Sequence, residues 1–371
     1  MIKKEIKKYD YIDALRGLAI LGVLVVHTSQ NFSPSNSILK FLTSLGSSGV
    51  QLFFIASALT LSFSWKHRVL KEKNHLINFF IRRLLRIAPL FWVAIIFYTY
   101  LFGTQITYFA PNGINAWSIL STFLFIHGFH PETFSAVVPG GWSIAVEMTF
   151  YLFFPFLITK LKTVKLKFIF IFISLLSFPI MQTLMVNYFQ SYSVELVHDF
   201  VSLNIVGQLA VFAIGLFTYD IVINYKFMKK WIIRALILFL CMLILFIFYP
   251  YEPRIVNTTV IFSFCYAVLT VFLSQKPISL LVNKYTIAIG KLSFSMYLSH
   301  FAIIHIIVKS NLSDKIAINN LNLKFLIILL VVTLSSFLIS KILYRIIENP
   351  GINLGKNLIR KIEISLDKKA I

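Results

Sequence analysis

Two residues in the first long apolar run have side chains that such runs ordinarily exclude: Arg16 and His27, within YIDALRGLAILGVLVVH. A charged group at the centre of a membrane-length helix costs roughly 2.5–3.5 kcal/mol on insertion scales, so each is a functional candidate by default. They stand eleven positions apart. That is close to three helical turns, or roughly 16 Å of rise, and puts both side chains on one face. Asp13, three residues before Arg16, is placed to pair with it. A neutral imidazole suits general-base or nucleophilic work near neutral pH. Read alone, both residues are equally well explained as groups that snorkel to opposite interfaces.

A second constellation is GGWSIAVEMTFYLFFP, residues 140–155, with Trp142, Ser143 and Glu147. Ser143 and Glu147 are four apart and share a helix face. Glu147 is expected roughly 9 Å and His27 roughly 6 Å below the outer ends of their helices. If those helices are neighbours, the carboxylate would fix the imidazole tautomer and raise its basicity. Otherwise the two are unrelated polar groups. Third is IRRLLR, with Arg82, Arg83 and Arg86. Guanidinium groups at i, i+4 suit phosphate, although ordinary loop charge on the inner side accounts for them as well. Fourth is GKLSFSMYLSHFAIIH, where Ser293, Tyr297 and His300 recur at helical spacing. Fifth is YRIIENP, in which Glu348 pairs with an arginine or Pro350 simply stops a helix. The HxxH pair His127 and His130 is weak evidence for a metal, and no metal site is expected. Cys241 and Cys265 each lie in an apolar run and read as small hydrophobes.

The elements that carry these residues follow from composition. The chain has 371 residues, of which 58% are hydrophobic and 13% charged. Soluble domains average about 45–50% apolar and about 25% charged, so an ordinary soluble enzyme, a disordered chain and a disulfide scaffold are excluded. The net charge of +21 does not imply a nucleic-acid partner, because the basic residues form short clusters between apolar runs. Crossing a bilayer takes roughly 17–25 apolar residues. Such runs cover about 11–31, 46–65, 84–103, 141–159, 168–187, 200–223, 231–250, 255–274, 289–308 and 325–343. The expected fold is therefore an all-α polytopic membrane helix bundle of ten spans, with the bilayer as its first partner. Ten spans with both termini cytoplasmic place 29 Lys and Arg inside and 5 outside, as the positive-inside rule requires. An eleventh span at 116–129 would destroy that asymmetry. Residues 104–140, which hold no Lys or Arg, are read as an outer segment, re-entrant or lying at the surface. Residues 350–371 are expected to be a basic cytoplasmic tail, too short for a core of its own, after a transmembrane domain at 1–349. No cleavable signal peptide is evident.

Taken in order, these motifs resemble the acyltransferase-3 family of membrane acyltransferases. Arg16 and His27 match its basic residue, ten intervening positions and histidine. GVQLFFIASALTLSFSW resembles its Gly-Val-x-Leu-Phe-Phe pattern, and RRLLR its arginine motif. GGWSIAVEMTFYLFFP resembles its Trp-Ser-x-x-x-Glu segment, LSFSMYLSH its late Ser-Tyr-x-x-Tyr-Leu-x-His element, and YRIIENP its closing Tyr-x-x-x-Glu-x-Pro. Where the family often has two adjacent acidic residues, Glu147 is followed by Met148. The resemblance implies an O-acetyltransferase-like enzyme of the bacterial cytoplasmic (inner) membrane. It implies an acyl-CoA co-substrate, most often acetyl-CoA, with no permanently bound cofactor, and a sugar hydroxyl of a cell-surface glycan or its lipid-linked precursor as acceptor. Arg16, Arg82, Arg83 and Arg86 would hold the donor. His27 would act as base or nucleophile with Glu147 orienting it, and Trp142, Ser143, Tyr297 and His300 would position the acceptor. The competing class is a transporter or flippase for a glycan or lipid intermediate, since intramembrane Arg, His and Glu also build substrate paths. It would move its cargo unchanged, whereas the enzyme leaves a new ester. The paired, broken halves common in transporters are not evident.

Overall fold

A computed structural model describes residues 9–224, 258–316 and 318–369. Among these residues the chain is helical, and its only β-pairing is an isolated bridge between Thr107 and Ala110. The principal helices are α1 (Asp10–Asn31), α2 (Ser37–Ser44), α3 (Gly49–Val69), α4 (His75–Phe102), α5 (Ala116–Phe123), α6 (Trp142–Lys160) and α7 (Val164–Tyr188). They continue as α8 (Val194–Leu203), α9 (Ile205–Asn224), α10 (Thr258–Gln275), α11 (Lys284–Lys291), α12 (Ser293–Lys309), α13 (Leu321–Leu343) and α14 (Asn349–Lys369).

Eight helical runs among the described residues are long and apolar enough to cross a membrane, or nine if α11 and α12 together form one span. Nine of the ten expected spans fall on these runs; the one at 231–250 lies outside the described residues. Two expectations are corrected. The run at 289–308 is not one straight helix: α11 and α12 meet at Leu292 with a bend of 77°. Pro350 does not stop a helix, because α13 passes through a π-turn at Tyr344–Glu348 directly into α14. Residues 116–129 are not a crossing either. The eight residues of α5 span only ~12 Å. Phe125 then takes a positive φ of 62°, and a 3-10 turn follows at His127–Phe129.

The structure divides into two compact units, Met1–Thr60 with Ile214–Lys341, and Leu61–Ala213 with Ile342–Ile371. In the first, α1 is the central helix and packs against α2, α10, α11 and α12. Without a hydrophobic driving force between helices in lipid, small residues let backbones approach closely. Here a Cβ on Gly290 would sit 1.7 Å from the Asp13 carbonyl oxygen, and one on Gly17 would sit 2.2 Å from that of Thr286. The α1–α11 crossing is thus backbone on backbone, one residue away from Arg16. Asn283 caps α11 through a reciprocal pair with Thr286, which sets the register of that crossing.

In the second unit α4 packs against α5, α6 and α14. Gly351 lies against the Leu85 carbonyl and the Pro89 ring. Further along α14, Glu363 accepts from the backbone N–H groups of Lys73 and Asn74 and from the Asn78 side chain. Those two fastenings run α14 antiparallel to α4. Phe150 of α6 stacks on Phe212 of α9 at 3.8 Å between ring centroids.

Candidate functional site

In the first unit, α1 and α12 bring together three residues singled out from sequence. The rings of His27 and His300 lie 5.4 Å apart, with Phe301 4.5 Å from His27 and 4.1 Å from His300. Tyr297 is 5.8 Å from His300 and meets Phe53 edge-on. His27 Nδ1 is 2.8 Å from Gln30 Oε1. An amide oxygen only accepts, so Nδ1 donates to it, and in the neutral ring Nε2 keeps its lone pair. His300 is fully buried, and its Nδ1 donates to the Met296 carbonyl at 3.2 Å. In the neutral ring its Nε2 is therefore also a lone-pair nitrogen, with no hydrogen-bond partner among the described residues. In their neutral forms, two imidazoles each held through Nδ1 leave both Nε2 atoms as acceptors. That is a receptive setting for a hydroxyl donor. The Nδ1 edge of His27 is held by Gln30, three residues away on the same helix. That i, i+3 spacing was the available sequence signal.

Arg16 lies lower on α1. One guanidinium nitrogen donates to Thr60 Oγ1 at 2.9 Å, and the other is 3.6 Å from Asp13. The expected Asp13 pair is present, and the group is held inside the fold with only 14% of its side chain exposed.

In the second unit, Arg82, Arg83 and Arg86 line an open cavity of about 400 Å³ with Ser64 and Arg68 of α3 and Ile352, Lys356, Ile359 and Arg360 of α14. Glu72 accepts from Arg68 at 2.6 Å and from both Arg82 terminal nitrogens at 2.9 and 3.0 Å. Burial opposes ionisation of Glu72, yet the bonds from Arg82, Arg68 and Asn78 together hold its carboxyl below the usual carboxylate range. The Arg83 guanidinium sits 5.7 Å from the ring centroids of both Phe79 and Tyr151, an arrangement favoured by the aromatic quadrupole. The sequence reading missed Arg68, Lys356 and Arg360 as members of this cluster. It placed the first in a loop and the others in a tail.

Trp142, Ser143 and Glu147 open α6. Ser143 is buried and donates to the Gly140 carbonyl at 3.0 Å. Trp142 packs on the cluster of Phe134, Leu196, Val197, Phe200 and Val201. Glu147 accepts a short hydrogen bond from the Tyr151 hydroxyl. Just before α6, His127 is buried with Nε2 3.0 Å from the Gly141 carbonyl oxygen, and burial pushes its pKa down to about 4. His130 instead packs edge-on against Phe189 and Tyr192. No group of three metal-ligating side chains occurs among the described residues. Glu348 is buried in the π-turn.

A helical integral membrane protein with a histidine pair in one unit and an arginine-lined cavity in the other is the class that fold and site define. Residues 9–344 match the family model described as an acyltransferase domain, and the chain belongs to this acyltransferase-3 family. A Staphylococcus aureus (strain COL) protein named "Putative O-acetyltransferase" is 26% identical over 337 residues, which are 80% of this chain and 51% of that protein. Its counterpart in strain MSSA476 is 25% identical over 81% of this chain and 51% of its own length. The "Acyltransferase MdmB" of Streptomyces mycarofaciens is 28% identical over 153 residues, 39% of this chain and 38% of its own. The chain thus spans about half the length of the Staphylococcus relatives it matches. No solved structure matches it.

Proposed function

We propose that the protein transfers an acyl group, acetyl in the first instance, from acyl-CoA to a hydroxyl of a cell-surface glycan or its lipid-linked precursor. Its setting is the bacterial cytoplasmic membrane, with both chain termini on the cytoplasmic side. The observation that carries the reading is the His27 tautomer: Nδ1–H is committed to Gln30, so Nε2 is the free base. His27 Nε2 removes the acceptor hydroxyl proton as that oxygen attacks the thioester carbonyl. The tetrahedral intermediate collapses with cleavage of the carbon–sulfur bond. The departing thiolate takes the proton back from the imidazolium, giving an oxygen ester and free CoA. His300, through its lone-pair Nε2, and Tyr297 position the acceptor hydroxyl. Trp142, Ser143 and Glu147 engage the rest of the acceptor, with the Glu147 carboxylate taking a sugar hydroxyl. Arg82, Arg83 and Arg86 receive the phosphates of the donor, with Arg16 as a further cation for it. Guanidinium groups match phosphate oxygens in pairs.

The test is mass spectrometry of surface glycans from cells expressing wild type, His27→Ala or vector alone, with membrane insertion checked by immunoblot. A gain of one acyl group per repeat with wild type only is expected. Equal acylation by His27→Ala would remove His27 from the chemistry. An unmodified glycan that crosses the membrane in a protein-dependent way would replace acyl transfer with transport.

A further inference from the structure

The matched family segment ends at residue 344, yet one wall of the arginine cavity is built beyond it. On α14, Ile352, Lys356, Ile359 and Arg360 reach the cavity, and Glu363 lies one turn further on. The spacings of four, three, one and three residues trace one helix face. Opposite them, α4 presents Arg82 and Arg86 and α3 presents Ser64 and Arg68, each again an i, i+4 pair. Six of the nine lining residues are cationic and none is acidic. Glu72 answers Arg68 and Arg82 from beside the cavity and Glu363 adds a second carboxylate that acts on Arg82, so the six lining cations still outnumber these two carboxylates. The α14 helix is not loosely placed. Gly351 seats it on Leu85 and Pro89, and Glu363 ties it to residues 73, 74 and 78. A volume of about 400 Å³ lies in the range of about 300–1,000 Å³ typical of small-molecule sites.

We infer that α14 completes a phosphate-binding site, with Lys356 and Arg360 closing on the phosphomonoester and diphosphate of a nucleotide-bearing donor from the side opposite Arg82 and Arg86. This rests on the donor reading above. Like-charged side chains gathered around a cavity repel one another, and a polyanion relieves that repulsion. Two sources share this chemistry, the phosphorylated nucleotide end of CoA and the phosphate headgroup of an anionic lipid. The pairing of a six-cation lining with a nucleoside-sized cavity favours the first.

The experiment uses the full chain in nanodiscs of neutral lipid. CoA and dephospho-CoA are titrated by calorimetry into wild type, a Lys356→Gln, Arg360→Gln double variant and a charge-retaining Lys356→Arg, Arg360→Lys control. Retention of phosphatidylglycerol by each purified protein is measured in parallel, and thermal midpoints verify folding. Both residues are exposed on one face of an anchored helix, so neutralising them should leave the midpoint unchanged. Wild type should prefer CoA over dephospho-CoA. The neutral variant should bind CoA at least tenfold more weakly and lose that preference, and the control should keep both. Wild-type-like CoA binding by the neutral variant overturns the role of α14 and leaves the donor reading standing. Variant-sensitive retention of phosphatidylglycerol without CoA binding makes the cavity a lipid site and overturns the nucleotide assignment. Binding of neither probe by wild type refutes both the site and the donor reading.

Discussion

Substituting Gly290 by alanine probes whether the backbone crossing of α1 and α11 positions His27, the proposed general base. An added Cβ would lie 1.7 Å from the Asp13 carbonyl oxygen and 3.0 Å from the Gly17 nitrogen. Ordinary contact begins at 3.4 Å, so the two backbones must part by about 1.7 Å at this point. Both colliding groups are main chain, and no flexible side chain can yield. Overpacking of this kind costs about 1–3 kcal/mol, and a backbone clash belongs at the upper end. The functional cost should be larger. His27 stands on the moved helix, and displacement of a reacting group by about 1 Å can cost on the order of 100-fold in rate. Gly22→Ala is the matched control: its Cβ meets Gly46 at 3.5 Å, an ordinary contact, and should shift stability by no more than about 0.5 kcal/mol. The assay is acyl transfer to a soluble glycan acceptor by purified protein, with thermal unfolding followed in the same detergent. Gly290→Ala should lower the midpoint by several degrees and reduce kcat by on the order of 100-fold, while Gly22→Ala tracks wild type. A Gly290→Ala protein with wild-type midpoint and kcat would refute the claim that this crossing sets the site.

Gln30→Leu removes the hydrogen-bond partner of His27 Nδ1 and frees the ring to take the other tautomer. We expect kcat to fall by about tenfold or more with the fold intact, in line with about 0.5–1.5 kcal/mol for the bond itself plus the loss of orientation; an unchanged kcat would show that the tautomer is held elsewhere. His127 links stability to pH. Its pKa in the folded protein is pushed down from 6.5 to about 4, so the unfolded chain takes up the proton first as pH falls. Stability should be level above about pH 6.5, decline by about 3 kcal/mol between pH 6.5 and 4, and level off below. Thermal midpoints measured from pH 7.5 to 4.5 should fall less steeply in a His127→Gln variant, and parallel curves would exclude His127 as the source.

Long apolar runs, basic clusters between them and the eleven-residue interval from Arg16 to His27 were all legible in the chain. The reason is that bilayer thickness and helix pitch act locally, on consecutive residues, and leave a period that composition can show. The same locality made the Asp13–Arg16 pair readable. What the sequence could not reveal depends on distant segments meeting. Nothing in the interval between them says that the His27 and His300 rings lie 5.4 Å apart, because that distance follows from how α12 leaves the 77° bend at Leu292 and from the glycine crossing that seats α11 on α1. Nor did a basic tail declare itself a cavity wall. Residues 349–369 are apolar and basic at helical spacing, but only the docking of Gly351 on Leu85 and Pro89 and the anchoring of Glu363 at residues 73–78 turn Lys356 and Arg360 toward Arg82 and Arg86. Local chemistry chose the helices and their candidate residues. Tertiary packing, where backbone close approach and buried hydrogen bonds select one arrangement among many, decided which of those residues share a site.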